Sequence, residues 1–321
     1  MSTSKLASQK EKTFLIDMDF INEFSSEHTR RSYLTDINHF FDYLEDRFPE
    51  INNYKSIEKK HIVQFRNFLQ EVGGIGGEPC APKTISRKLA ALSSYFNFLA
   101  EKNIIETNIT SSVKRPKREV ITPTNALTRN QVIELLNTID CNSPSGKLHK
   151  AMLVMFFTTG LRKSEILHLK RKDFTTLNTH KIVKYRGKGG KRGQKILHPQ
   201  CISALEEYLD SMKEQGREHI SEDWLFQPTR NPSNPTNLNR PLNPKTVNEI
   251  IQKYAKKISL TFHITPHSAR ATFIGELLNN GVDIYRVANE VNHSSVKTTE
   301  EYDKRRKNIT DSPVYKLNFE N

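Results

Sequence analysis

The chain has 321 residues, a formal net charge of +13 and a hydrophobic fraction of 36%. This length allows two domains with a substantial core, whereas the modest hydrophobic content and the lack of a long apolar run exclude a membrane span. The positive charge indicates a polyanionic partner, and nucleic acid fits better than a membrane surface because no strongly basic amphipathic anchor stands out.

The cysteines and the amino-terminal segment bear on where the protein works. Cys80, Cys141 and Cys201 lie far apart and form no CxxC pair, which favours a reduced cytoplasmic protein. Residues 1–12 are polar and lack the apolar core of a signal peptide. We expect them to form a disordered tail.

Residues 13–107 have the pattern of a helical domain. Large apolar side chains recur there at helical spacing, as in Phe20 and Phe24, Tyr33, Ile37, Phe40, Phe41 and Leu44, Ile62, Phe65 and Leu69, or Leu89, Leu92, Tyr95, Phe96 and Leu99. A glycine-rich break at residues 73–77 separates the third helix from a fourth that begins near Pro82. The sequence therefore predicts a small bundle of four helices.

Basic side chains cluster at two helix starts of this domain. Arg30 and Arg31 open the helix of the Tyr33 run, and the first turns of the fourth helix carry Lys83, Arg87 and Lys88. Either cluster alone could be an ordinary solvated helix face. Together with the net charge, they favour a surface that faces DNA.

Residues 108–125 lack apolar periodicity and contain two prolines and four basic residues, which predicts an extended basic linker that could follow phosphates. A second domain, residues 126–321, then begins with a helix. Thr128 is its expected cap, and Gln131 three residues later completes a capping box.

Two motifs lie in the first half of the second domain. A buried helix breaks at residues 158–160, and Arg162 follows at the next helix start with Glu165 one turn on, either as its orienting partner or as an ordinary surface ion pair. Two strands, residues 179–185 and 195–197, flank a glycine-rich hairpin with Lys188 at or near its tip. This hairpin is no phosphate-binding P-loop, because the GxxxxGK[ST] spacing is missing and no helix follows; a solvated basic turn is the alternative.

The last quarter of the chain carries most of the remaining polar candidates. His267 and Arg270 are three residues apart at a helix start, capped by Thr265, so they share one face and suit an anion. The next helix, residues 284–291, must stop at Asn292, a residue type that tolerates a left-handed conformation, which presents His293. Tyr302 follows nine residues later.

Two arginines, a lysine, two histidines and a tyrosine, without a carboxylate cluster, suit a phosphodiester and not a divalent metal. Arginine forks stabilise the charge that develops on non-bridging oxygens during attack. Tyrosine is a competent nucleophile when a base removes its proton, and a lysine that protonates the departing sugar oxygen would complete the reaction.

These motifs, in this order, resemble those of tyrosine recombinases of the phage integrase and Xer/Cre-like family. The matching segments are Thr159–Glu165, Gly187–Gly189, His267–Arg270 and His293–Ser295 followed by Tyr302. The resemblance covers most of residues 128–302 and implies a mainly α fold with a small β-hairpin or sheet, in which a helical core-binding bundle precedes the catalytic domain. Three positions depart from the family pattern: Ala271 replaces a histidine, Ala269 a leucine and Asn292 a glycine.

By this resemblance, Arg162 and Arg270 would clamp the scissile phosphate, His293 would bond a phosphate oxygen and Glu165 would support Arg162. No metal, ATP or other cofactor is implied.

The resemblance also assigns the proton transfers and the nucleophile. Lys188 would be the general acid, His267 would assist proton transfer at the tyrosine, and Tyr302 would form a 3′-phosphotyrosyl link. Tyr285 and Tyr315 are rival nucleophiles, but Tyr285 falls inside a helix and Tyr315 lacks the upstream spacing. His263 and His267, four apart, could bind zinc, yet no glutamate stands between them and no third ligand is obvious.

The implied partner is double-stranded DNA, on which a homotetramer would exchange strands between two sites. Because about a dozen residues precede the first domain, we expect a simple recombinase acting on short inverted repeats and not an arm-binding integrase. Alternatives are a type IB topoisomerase or telomere resolvase with the same chemistry, or a DNA-binding regulator with a decayed site.

Overall fold

The structure is a computed structural model that describes residues 13–116, 124–217, 220–231, 234, 236–303 and 314; at Lys188 it describes the main chain alone. The chain divides into two compact units, Met1–Ile121 and Thr122–Asn321. The mainly α fold with a small sheet is confirmed. Among the described residues, no helix combines the length and the apolar character needed to cross a membrane.

Within residues 13–116 the first unit is a bundle of four α-helices: α1 (Met18–Asn22), α2 (Glu27–Arg47), α3 (Lys59–Glu71) and α4 (Pro82–Glu101). Ser26 caps α2 by accepting a hydrogen bond from the Thr29 amide, and α4 begins with a proline in its first turn, where no amide donor is needed. The apolar stripes of the helices meet in a core rich in aromatic side chains, among them Phe40, Phe41, Phe65, Tyr95 and Phe96.

The start of the predicted linker is packed and not extended. The Asn108 side-chain amide donates to the Ser93 carbonyl oxygen at 3.0 Å and to Asn97 Oδ1 at 2.6 Å. Val113 is buried, with 9% of its surface exposed, in the core of the first unit. Residues 108–113 therefore continue the bundle, because an apolar side chain and a bonded amide hold them to it. Residues 117–123 lie outside the described part of the chain.

The second unit begins with helices α5 (Arg129–Asn137), α6 (Pro144–Thr159) and α7 (Lys163–Leu167), continues with strands β1 (Phe174–Leu177), β2 (His180–Arg186) and β3 (Arg192–Ile196), and ends with helices α8 (Pro199–Glu214), α9 (Pro244–Lys257), α10 (Pro266–Asn279), α11 (Ile284–Glu290) and α12 (Val296–Glu300). Helix α6 is the central element, with α8 and α10 packed against it. The capping boxes at Thr128 and Thr265 begin α5 and α10 where the sequence predicted.

The described strands form an antiparallel sheet in the order β1-β2-β3. Val183 pairs with Lys195 and Tyr185 pairs with Gly193 across the β2–β3 hairpin. Strand β1 was not predicted, and β3 begins at Arg192, three residues earlier than expected. Asn178, with a φ of 52°, makes the turn between β1 and β2.

Candidate active site

Arg162 lies where α6 gives way to α7. Gly160 ends α6 with a φ of 61°, and a Cβ atom there would lie 2.4 Å from the Phe273 ring, so only glycine fits. Glu165, 4% exposed, accepts from the Arg162 amide at 2.7 Å and from Arg162 Nη1 at 2.9 Å. This predicted contact is therefore present, and it fixes both the main chain and the guanidinium of Arg162.

Arg270 is buried, with 3% of its surface exposed, near the start of α10, which begins at Pro266. Its Nη1 donates to the Gly160 carbonyl oxygen at 2.6 Å and its Nη2 donates to the Val291 carbonyl oxygen. Burial, and then the nearby charge of Arg162, lower its pKa to about 10, so it stays protonated at neutral pH. The protein therefore presents a fixed positive charge at this point.

His293 follows the predicted left-handed residue at the end of α11. Asn292 has a φ of 50°, its amide donates to the Asn289 carbonyl at 3.1 Å, and the His293 amide donates to the Ala288 carbonyl at 3.0 Å. These two main-chain hydrogen bonds form a Schellman motif, which ends the helix and turns His293 away from the helix axis.

The His293 imidazole is neutral at pH 7. Burial first, then the charges of Arg270 and Arg162, lower its pKa to about 4. Its Nδ1 lies 2.8 Å from the Oγ1 of the fully buried Thr299. The tautomer in which Nδ1 accepts from Thr299 keeps a proton on Nε2, which is the donor that a phosphate oxygen requires.

Tyr302 lies against the His293 ring. The two ring centroids are 6.1 Å apart with an interplanar angle of 21°, a stacked arrangement. The phenol packs against the apolar cluster of α10 and α11. Burial raises its pKa, and the positive charge of Arg270 opposes that rise. The hydroxyl is therefore protonated at neutral pH and needs a base at the moment of attack.

His267 lies on the exposed side of the first turn of α10, and its charge contributes to the lowered pKa of His293. Lys188 lies on the tight turn that joins β2 to β3, closed by the Gly187 amide donating to the Lys191 carbonyl at 2.7 Å. A Cβ atom on Gly187 would lie 3.4 Å from Glu165 Oε1. The base of this turn therefore packs against the carboxylate that holds Arg162. The Lys188 side chain lies outside the described atoms.

Three polar residues beside this cluster, Tyr185, Lys195 and Glu290, were missed from the sequence, as was the side-chain contact of Asn292. The Asn292 side-chain amide donates to the hydroxyl of the buried Tyr185, and the ammonium of Lys195, with its side chain 5% exposed, lies 2.7 Å from Glu290 Oε1. Burial lowers the pKa of Lys195 and raises that of Tyr185. The alternation of side chains along β2 puts Tyr185 on the same face as the apolar Val183, and this pattern could have indicated from the sequence that Tyr185 is buried.

The basic clusters of the first unit divide between exposed and buried positions. Lys83 is exposed. Arg31 pairs with Glu27 at 2.5 Å on the surface, and Arg30 Nε donates to the Phe24 carbonyl at 2.5 Å.

The prediction that Lys88 faces DNA is contradicted. Lys88 is 7% exposed, and its ammonium lies 3.2 Å from the fully buried Asp36 carboxylate and 2.9 Å from His39 Nδ1. Arg87 donates to the other Asp36 oxygen but keeps 48% of its side chain exposed. Lys88 points inward because it lies on the apolar stripe of α4 and meets a buried carboxylate there.

Among the residues described, no group of three or more His, Cys, Asp or Glu side chains could hold a metal ion.

Comparisons with known proteins fit this architecture. Residues 125–308 match the family model of the phage integrase family, and residues 18–103 match that of the phage integrase N-terminal SAM-like domain. Tyrosine recombinase XerC of Bacillus licheniformis is 30% identical over 293 residues, covering 90% of each chain. Tyrosine recombinase XerC of Syntrophus aciditrophicus is 29% identical over 282 residues, covering 86% of this chain and 87% of the relative.

A solved structure shares the fold. The crystal structure of XerH site-specific recombinase bound to palindromic difH substrate, a post-cleavage complex, superposes with a TM-score of 0.68 at 19% sequence identity. The match covers 90% of this chain and 80% of that chain.

Proposed function

Because this chain belongs to the phage integrase family and is a site-specific tyrosine recombinase, we propose that Tyr302 is its nucleophile. In this proposal Tyr302 cuts and rejoins double-stranded DNA through a 3′-phosphotyrosyl intermediate. The single observation that carries this proposal is the cluster of the second unit, in which Tyr302 stacks on His293 beside the buried guanidinium of Arg270. Arg162, which is anchored by Glu165, is close enough for its positive charge to lower the pKa of Arg270.

The chemistry follows from these groups. The Tyr302 oxygen attacks the scissile phosphorus, its proton leaves with the help of His267, and the bond from phosphorus to the 5′ oxygen breaks. Lys188 donates a proton to that oxygen, which departs as a 5′-hydroxyl. The phosphotyrosyl bond keeps the energy of the original phosphodiester, so a 5′-hydroxyl from another strand reverses the step and joins new ends.

Charge development explains why the site holds two arginines. Arg162 and Arg270 are fixed before the phosphate arrives, so they stabilise the negative charge that grows on its non-bridging oxygens without reorganising. The neutral His293 donates one further hydrogen bond to the same oxygens. Metal-free catalysis is consistent with this donor set, because the guanidinium groups supply the charge that a divalent cation supplies elsewhere.

The proposed DNA contacts lie on both units. On the first unit, the proposed core-binding domain, Lys83 and Arg87 are exposed on α4, and Arg30 and Arg31 lie at the start of α2. On the second unit, a groove is lined by basic side chains that include Lys170, Lys172, Lys184, Arg186 and Arg192. We further propose a homotetramer acting on short inverted repeats, which light scattering of the protein on paired sites tests. The free thiols of Cys80, Cys141 and Cys201 support a cytoplasmic location.

A nicked suicide duplex tests the nucleophile. The probe carries the sequence that the protein itself selects from a pool of random duplexes, with a nick that lets the short cleaved strand diffuse away. Wild-type protein should accumulate covalent adducts, Tyr302→Phe should form none while binding the duplex with unchanged affinity, and Tyr285→Phe, at a 65% exposed tyrosine, is the matched control.

Two outcomes would contradict the assignment. Adducts that persist in Tyr302→Phe would transfer the role to another tyrosine, and a wild type without adducts would favour a DNA-binding regulator. Strand joining between two separate duplexes distinguishes a recombinase from a topoisomerase or a telomere resolvase.

A further inference from the structure

Four consecutive residues at the end of α11 each contact a different part of the active site. Glu290 pairs with Lys195, and the Val291 carbonyl accepts from Arg270. The Asn292 side-chain amide donates to the Tyr185 hydroxyl, and His293 stacks on Tyr302, the proposed nucleophile. We call residues 290–293 the α11 end. Two of its four contacts reach the β2–β3 hairpin.

The hairpin presents those two partners on one face. Val183 pairs with Lys195 and Tyr185 pairs with Gly193, so Tyr185 and Lys195 are diagonal neighbours on the same side of the ladder. The Tyr185 ring crosses directly over Gly193, where an added Cβ would lie 2.6 Å from the Tyr185 hydroxyl oxygen. Gly193 thus leaves the room that lets the phenol reach the Asn292 amide.

We propose that Asn292 and Tyr185 are positioning residues for Lys188. Lys188 follows Tyr185 by three residues on the turn that joins β2 to β3. The bond from Asn292 to Tyr185 therefore sets the distance between that turn and the α11 end, which contacts Arg270 and carries His293. This inference rests on the proposed role of Lys188 as the general acid.

Folding alone does not account for an asparagine at position 292. The residue has a φ of 50°, a conformation that glycine adopts without the steric cost of a side chain. What the asparagine adds to the described structure is its side-chain amide, whose partner is the Tyr185 hydroxyl.

The ion pair of Lys195 and Glu290 keeps the β2–β3 hairpin packed against the α11 end when the hydrogen bond from Asn292 to Tyr185 is removed. The ammonium of Lys195 is buried and lies 2.7 Å from Glu290, independently of the Asn292 side chain. Asn292→Gly should therefore fold with an unchanged or higher midpoint of thermal unfolding. The expected effect is confined to the position of the turn that carries Lys188, which should be held less firmly.

The experiment compares two leaving groups on the nicked duplex selected by the protein, one with the natural 5′-bridging oxygen and one with sulfur. Sulfur departs without a proton, so its cleavage does not depend on the general acid. On the oxygen duplex, Asn292→Gly should cut roughly tenfold more slowly, the effect of one lost hydrogen bond. On the sulfur duplex it should cut at the wild-type rate, and its affinity for DNA should not change.

Matched variants make the result specific. Asn178→Gly replaces another left-handed asparagine, at an exposed turn with a φ of 52°, and should cut both duplexes at the wild-type rate. Tyr185→Phe keeps the ring over Gly193 but removes the oxygen, so it should reproduce the loss. The double variant of Tyr185 and Asn292 should lose no more than either single variant, because both remove the same bond.

Lys188→Ala separates this inference from its premise. If sulfur does not rescue Lys188→Ala, the general-acid assignment fails. If sulfur rescues Lys188→Ala while Asn292→Gly cuts the oxygen duplex at full rate, the positioning role alone is overturned. An equal slowing of Asn292→Gly on both duplexes would also overturn it, because the amide would then act on the nucleophile side of the site.

Discussion

Lowering the pH should destabilise the second unit through His293. Burial and the two nearby arginines lower the pKa of this imidazole from its ordinary value of 6.5 to about 4. The unfolded chain therefore takes up the proton near pH 6.5, whereas the folded chain resists it until about pH 4. Stability that is present above pH 6.5 is lost as the pH falls through this window, and at pH 5 the loss is about 2 kcal/mol in the free energy of unfolding.

Urea unfolding at pH 7 and pH 5 measures this loss. Trp224 is the only tryptophan in the sequence and lies in the second unit, so its fluorescence follows the unfolding of the part that holds His293. The wild type should lose about 2 kcal/mol more than His293→Gln between the two pH values. A residual loss is expected in the variant, since burial also lowers the pKa of His149 to about 4.

The control is His180→Gln, which removes an exposed imidazole from β2. Equal losses in the wild type and His293→Gln would refute the reasoning. So would a carbon resonance of the His293 ring that titrates near pH 6.5 in the free protein.

Three further predictions concern the proposed general acid, the DNA surface and the buried ion cluster. Lys188→Ala should impair cleavage more than binding, and a 5′-bridging sulfur should restore its rate but not that of Arg162→Ala; equal rescue of both would refute this division of roles. Replacing Lys83 and Arg87 together by alanine should weaken DNA binding and reduce the salt slope by about 2, measured by gel shift over a salt series, whereas an unchanged slope would mean that the DNA lies on another face. Asp36→Asn should cost about 3 kcal/mol in the free energy of unfolding, because it leaves a buried ammonium without its carboxylate; a loss below about 1 kcal/mol in urea unfolding would contradict this account.

The parts of the fold that obey local rules were predictable. Thr128 and Thr265 cap their helices through hydrogen bonds within three residues, so the sequence around them contains the whole interaction. The left-handed turn at Asn292 depends on the conformational tolerance of that one residue. The same holds for the pair of Arg162 and Glu165, which spans less than one helical turn.

Side chains that depend on distant partners were not predictable in the same way. The partner of Lys88, Asp36, is 52 residues away in the sequence, and the bond from Asn292 to Tyr185 spans 107. Position 88 falls between Ile85 and Leu89 on the buried stripe of α4, which indicates burial but not what neutralises the charge. Strand β1 was missed because it has only four residues and buries only Phe174, so its sequence is too short to show the alternation of a strand.

The anchoring of Arg270 has a consequence for how this enzyme can evolve. Its guanidinium donates to two main-chain carbonyl oxygens, and every amino acid supplies such an oxygen. At position 291 the choice of side chain is therefore limited by burial and not by the bond to the arginine. At position 160 the Phe273 ring fills the space that any side chain would need, so glycine is required there. The mutational tolerance around Arg270 is thus limited by the course of the main chain more than by the side chains of the residues that bind it.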